Sequence, residues 1–170
     1  SKKVDCVVGH MTSAMSVKGV KVANAEKVLM ISPTTTTTDL SHIDDYFFRV
    51  IETTLEYSQN MARYLYNKRG AKTVVISYDL NNRAYTETWA NHFSDEFTRL
   101  GGKTLEKHSY ASSSDTSFLE LAQKLVKFNS DVIISVASAS DTAMLCQQLN
   151  KLNSRPIIAA AEWSSTEQLL

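Results

Sequence analysis

Strand-sized apolar runs alternate with helix-patterned segments along the whole chain, and few folds accommodate that order. Runs at Val4–Val8, Val28–Ser32, Tyr46–Val50, Thr73–Tyr78, Lys103–Tyr110, Val132–Val136 and Ile157–Ala161 read as strands. Between them lie helical segments. One begins at Thr12 or Ser13 and runs to about Ala25. Another is capped by Thr53 or Thr54, carries Glu56 in its first turn and stops at Lys68-Arg69-Gly70. A third spans about Tyr85–Leu100. The segment Phe118–Phe128 is apolar at 118, 121, 122, 125 and 128, a helical spacing. Asp141 opens the helix Thr142–Leu152 as its cap. Strand–helix alternation with short connections implies an α/β fold with mostly parallel sheets flanked by helices on both faces.

That architecture limits where a ligand binds. In open parallel sheets the crevice lies beyond the carboxyl ends of the strands. Five loops qualify: Gly9–Ser13, Pro33–Asp39, Asp79–Tyr85, Ala137–Asp141 and Glu162–Ser165. The opposite turns, at Gly70, Gly101-Gly102 and Asn129-Ser130, serve as punctuation.

Composition removes several classes. Eighteen basic residues balance eighteen acidic ones, so no net field favours nucleic acid or an anionic membrane. The longest apolar runs are strand-sized, too short to span a bilayer as a helix. The start, SKKVDCVVG, enters a strand-like run directly, so an exported protein would already have lost its leader. Cys6 sits in an apolar strand and Cys146 in a helix, and each reads as a buried free thiol.

Catalytic and cofactor motifs are missing from the sequence. His10, His42, His92 and His108 have no paired metal spacing, and no metal or cofactor is expected. Five glycines build neither a phosphate loop nor a dinucleotide fingerprint, and no Gly-x-Ser-x-Gly elbow occurs. With no base–nucleophile pair, binding is favoured over catalysis.

The five threonines of Ile31–Leu40, ISPTTTTTDL, follow a strand end. Successive strand side chains point to opposite faces, so a run of threonines cannot all face a core. It is either a solvated loop or a row of hydroxyls around something small and polar. Ser13 lies near a helix N-terminus, where an anion is favoured, or is a plain cap. His10 lines the mouth or packs locally. Glu162, before Trp163, holds a ligand ammonium group or caps a helix begun by STEQLL. Tyr85 and Arg83 reach the same cleft, or are a packed tyrosine and a solvated arginine. Together these groups suit a zwitterion better than a phosphate.

The collinear motifs VVGHMTSA, LMISPTTTTTDL, YFFRV, TVVISYDLNNRAYTETW, GGKTLEKHSY, DVIISVASASDTAMLCQQL and RPIIAAAEW resemble the type I periplasmic solute-binding proteins. Within them, the branched-chain amino-acid receptors of ABC transporters and related sensor ectodomains are nearest. The resemblance implies Rossmann-like lobes that close over ligand. It also implies that this chain is a fragment spanning parts of two lobes, residues 1–51 in lobe one and 52–170 in lobe two. Carried over by motif, Ser13 binds the ligand carboxylate, and Thr34 and Thr36 contact carboxylate and ammonium. Glu162 pairs with the ammonium, and Tyr85 is a looser match to a cleft tyrosine. Ala137-Ser138 stands where some members have an aromatic, a departure that leaves the side-chain specificity open and leaves room for a ligand larger or more polar than leucine.

The expected function is therefore an extracytoplasmic receptor for an amino acid or similar small carboxylate. It would be periplasmic or extracellular, with a lipoprotein anchor compatible, and would deliver ligand to a membrane permease. The alternative is a ligand-sensing ectodomain fused to a signalling domain, and behind it a nucleotide-using flavodoxin-like enzyme. Incomplete lobes would leave strand edges and apolar faces bare, so dimerisation of the fragment is expected.

Overall fold

The computed structural model describes residues 4–154 and 156–167. It contains two parallel sheets of unequal size. The smaller runs in the order β1 (Cys6–Val8), β2 (Leu29–Ser32), β3 (Phe47–Arg49). Helix α1 (Ser13–Glu26) is capped by the Thr12 hydroxyl, which accepts the Met15 N–H, and ends at Lys27 in the left-handed region. It packs Val20 and Ala23 onto Met30 and Phe47.

Alternation places Cys6, Val8 and Phe48 on the other face of this sheet, and all three are exposed. Among the described residues no helix covers that face. The expectation that Cys6 is buried therefore fails: an apolar strand buries both faces only when both are covered. Cys146 is half-buried rather than enclosed.

The larger sheet has the order β5-β4-β6-β7, formed by β4 (Thr73–Asp79), β5 (Lys103–Tyr110), β6 (Val132–Val136) and β7 (Ile157–Ala160). Its two faces are both covered. Val74, Ile76, Val132, Ile134 and Val136 face α2 (Thr54–Arg63) and α3 (Arg83–Arg99). Val75 and Ile133 face α4 (Phe118–Val126) and α5 (Ala139–Lys151). This double cover explains why VIISV is apolar almost throughout. Along α3, Trp89, Phe93 and Phe97 recur every fourth residue and stack at 5.4 and 5.3 Å, fully buried.

Element limits differ from expectation where side chains intervene. The second helix does reach Lys68, but its last turn, Tyr64–Lys68, is a wider π turn. Its start carries the full capping box of Thr53 and Glu56. Helix α4 stops at Val126, because the chain turns left-handed at Asn129. Helix α5 begins at Ala139 with Ser138 as its cap, not Asp141. Asp141 instead accepts a hydrogen bond from the Tyr110 hydroxyl at 3.1 Å. Glu162–Ser164 forms a short 3₁₀ turn. Of the expected STEQLL helix, residues 168–170 lie outside the described residues.

Candidate functional site

A cavity of about 410 Å³ opens where the carboxyl ends of the two sheets meet. From the smaller sheet it takes Ser13, Thr34 and Thr36, and from the larger Asn82, Tyr85 and Glu162. Met11, Ile51 and Trp163 supply apolar wall. A larger void of about 520 Å³ lies at the opposite end of the second sheet, by Arg69, Asn129, Ser130 and Ser154. Those are the helix-to-strand turns, and no sequence feature singles them out for chemistry.

The threonine loop is not a solvated segment. Thr35, Thr36 and Thr37 are all buried, because the chain leaves strand geometry at Pro33 and folds inward. Thr35 Oγ1 lies 2.7 Å from Ser32 Oγ and 2.5 Å from Ser16 Oγ, a closed hydroxyl cluster beneath the site. Ser13 Oγ accepts the Thr36 and Thr37 N–H groups, each at 3.3 Å. The Ser13 hydroxyl proton and the Thr36 hydroxyl have no hydrogen-bond partner among the described residues. Thr34 donates to the Met11 carbonyl at 2.9 Å, which leaves its oxygen free to accept.

Glu162 stands opposite. Its Oε2 accepts the Trp89 indole N–H at 3.0 Å, while its Oε1 is buried with no hydrogen-bond partner among the described residues. Burial raises the Glu162 pKa, opposed by its own backbone and by the nearby Tyr85 hydroxyl and Trp89 indole. Tyr85 is pushed well above the ordinary range by burial and then by the neighbouring Glu162 charge, so its hydroxyl keeps its proton. Its ring meets Trp163 edge-on at 5.7 Å, and its oxygen accepts the Trp163 N–H at 3.4 Å.

Five of the sequence candidates thus come together: Ser13, Thr34, Thr36, Tyr85 and Glu162. Two do not line the cavity. The His10 ring packs against Gly19, where an added Cβ would meet Nε2 at 2.5 Å, and its carbonyl accepts from Ser32 Oγ at 3.0 Å. Ala137 is fully buried beneath the turn, its carbonyl taken by Ser164 Oγ at 3.1 Å. The expectation of a larger or more polar ligand, drawn from Ala137-Ser138, therefore has no cavity contact behind it. Arg83 points away and pairs with Glu87 at 2.7 Å.

Sequence reasoning missed Asn82, Trp89, Met11 and Ile51. Asn82 carried a usable signal, a polar residue at a helix start. Trp89 gave none, since at helical spacing it reads as core.

Comparison with known proteins follows the same lines. A profile of the family described as periplasmic binding protein matches residues 1–170. A leucine-binding protein, LivK, from Thermotoga maritima superposes with a TM-score of 0.90 at 26% identity, covering 98% of this chain and 47% of that one. An extracellular ligand-binding receptor from Rhodopseudomonas palustris gives 0.87 at 17% identity, covering 98% and 46%. An ABC transporter substrate-binding protein from Desulfitobacterium hafniense, in complex with Leu, gives 0.72 at 22% identity, covering 92% and 46%. At those last two identities the likeness shows the fold alone. The chain spans about half the length of the structures it matches. No curated protein sequence matches it significantly.

Proposed function

Since this chain belongs to the periplasmic binding protein family, we propose that it is the ligand-binding part of an extracytoplasmic receptor. Its ligand is a free amino acid or similar small carboxylate, which it hands to an ABC transporter permease. Residues 1–51 belong to one lobe of that receptor and 52–170 to the other, with the crossover near Val50–Thr53. Two separate sheets on either side of this segment support the division.

The observation that carries the proposal is the Glu162 carboxylate, whose Oε1 is buried without a partner among the described residues, at a cavity otherwise lined by hydroxyls, the Asn82 amide and apolar groups. An unpaired buried acceptor on a charged group is costly, and a cationic donor is what relieves it. A ligand ammonium beside Glu162 leaves its carboxylate facing the Ser13 and Thr36 hydroxyls across the cavity. Met11, Ile51 and Trp163 then border an apolar side chain, in keeping with the leucine named for relatives of the same fold. Among the described residues the site pairs no nucleophile with a base, in keeping with binding without turnover.

Isothermal titration of the intact protein with the standard L-amino acids and a set of small organic acids tests this. Saturable binding of at least one amino acid is expected. An absence of heat across the whole panel would overturn the proposal.

A further inference from the structure

Asn82 occupies the N-cap position of α3, yet its side chain makes no hydrogen bond to its own helix. Asparagine at that position ordinarily accepts an N–H from the first turn that follows. Here Oδ1 accepts the Ala14 N–H at 3.0 Å, in the first turn of α1, an element of the other sheet. The residue is 5% exposed and lines the cavity.

A backbone N–H can only donate, so the amide oxygen must face Ala14 and the NH2 group must lie on the other side. Among the described residues that NH2 group has no partner. The turn carrying Asn82 is held rigidly. The Asp79 carboxylate accepts the Asn81 and Ser112 N–H groups, each at 3.0 Å. Thr86 Oγ1 donates to the Asp79 carbonyl at 2.7 Å and lies 3.3 Å from that of Asn82. Such support fixes a side chain for recognition rather than leaving it to solvent.

We propose that Asn82 is a ligand-positioning residue that joins the two sheets: its oxygen holds the start of α1, and its NH2 group donates to the ligand carboxylate from the second sheet. This deepens the amino-acid reading above and rests on it. Ser13 and Thr36 supply hydroxyl donors from the first sheet only. Asn82 closes the carboxylate site from the opposite side, so carboxylate binding and approach of the two sheets become one event. A ligand lacking the carboxylate would leave this donor unpaired.

The test uses the intact protein as wild type, Asn82→Ala and Asn82→Asp. Hydrogen exchange at the Ala14 amide is read without ligand, and affinity is read by calorimetry with L-leucine first and then the other standard L-amino acids. Asn82→Ala is expected to speed Ala14 exchange and to weaken the tightest-binding amino acid by about tenfold or more. Asn82→Asp is nearly isosteric and keeps an acceptor for Ala14, so exchange there stays slow. It replaces the donor with a negative charge, and its affinity falls at least as far as that of the alanine variant. Affinity of both variants within about threefold of wild type would overturn the donor role, a difference too small for a lost hydrogen bond to a charged group. Unchanged Ala14 exchange in Asn82→Ala would overturn the tie between the sheets. If wild type binds no amino acid, the receptor reading and the donor role both fall, and the exchange arm still decides the tie.

Discussion

Replacing Glu162 by Gln should move stability and binding in opposite directions. Glu162 Oε1 is buried without a partner among the described residues, and burial raises the carboxyl above its ordinary value of 4.5. The folded state thus holds this proton more tightly than the unfolded chain does. Its contribution to stability is complete below the ordinary value and is lost as pH rises through the raised one. At neutral pH the charged form is a liability of about 1–3 kcal/mol, the usual cost of an unsatisfied buried group. Gln carries no charge, and its amide oxygen can still accept the Trp89 N–H. Ligand-free Glu162→Gln is therefore expected to melt higher at pH 7, by about 2–4 °C for each kcal/mol regained. Its advantage should shrink as pH approaches 4.5, where the wild-type carboxyl is increasingly protonated. Binding should move the other way. Loss of a charge-assisted bond to the ligand ammonium is worth about 1.5–3 kcal/mol, or roughly 10- to 150-fold in Kd. Scanning calorimetry from about pH 4 to 8 and titration calorimetry with the bound amino acid read the two effects separately. A variant that is both less stable and equally able to bind would refute the assignment of Glu162.

Other expectations concern the frame around the site. Thr35→Val strips the shared partner from Ser16 and Ser32, so denaturant melts should show a loss of about 1–3 kcal/mol; a neutral result would mean the hydroxyl cluster does not hold the loop. Phe93→Ala empties the middle of the Trp89–Phe93–Phe97 stack and should cost about 3–5 kcal/mol by the same measurement. Glu96 is held down at about 2, chiefly by its bond to Arg99 and then by Arg63. A lowered carboxyl stabilises above its ordinary value of 4.5 and loses that contribution as pH falls toward about 2. Glu96→Gln should flatten the melting-temperature profile in that window, and an unchanged slope would contradict the role given to Arg99.

Local chemistry explains which parts of the structure were legible in the sequence. Covered strands such as VIISV announce themselves, because double burial forces nearly every position apolar. The threonine cap of α2 with Glu56 in its first turn, and the strand ends that converge on the cavity, follow from the same short-range rules. Burial of Thr35–Thr37 did not follow, since strand alternation stops applying once Pro33 breaks the geometry. Nor did the exposure of Cys6, which depends on whether another element covers that face, as none does among the described residues, rather than on the residues of β1. Asp141 and Ser138 are three residues apart, and only the tertiary partner Tyr110 decides which of them caps α5. The partners of Asn82 and Trp89 lie 68 and 73 residues away along the chain, so a helix-start position flags Asn82 as polar but no local pattern names either partner.

The most direct measurement is a titration of the intact protein with its tightest-binding amino acid and two truncated analogues, the amine without the carboxylate and the acid without the ammonium. A site built from Ser13, Thr36 and Glu162 grips both ends, so each analogue should lose about a hundredfold or more, the loss expected when a charged group's hydrogen bonds go unmade. Either analogue binding as tightly as the amino acid itself would contradict the zwitterion site.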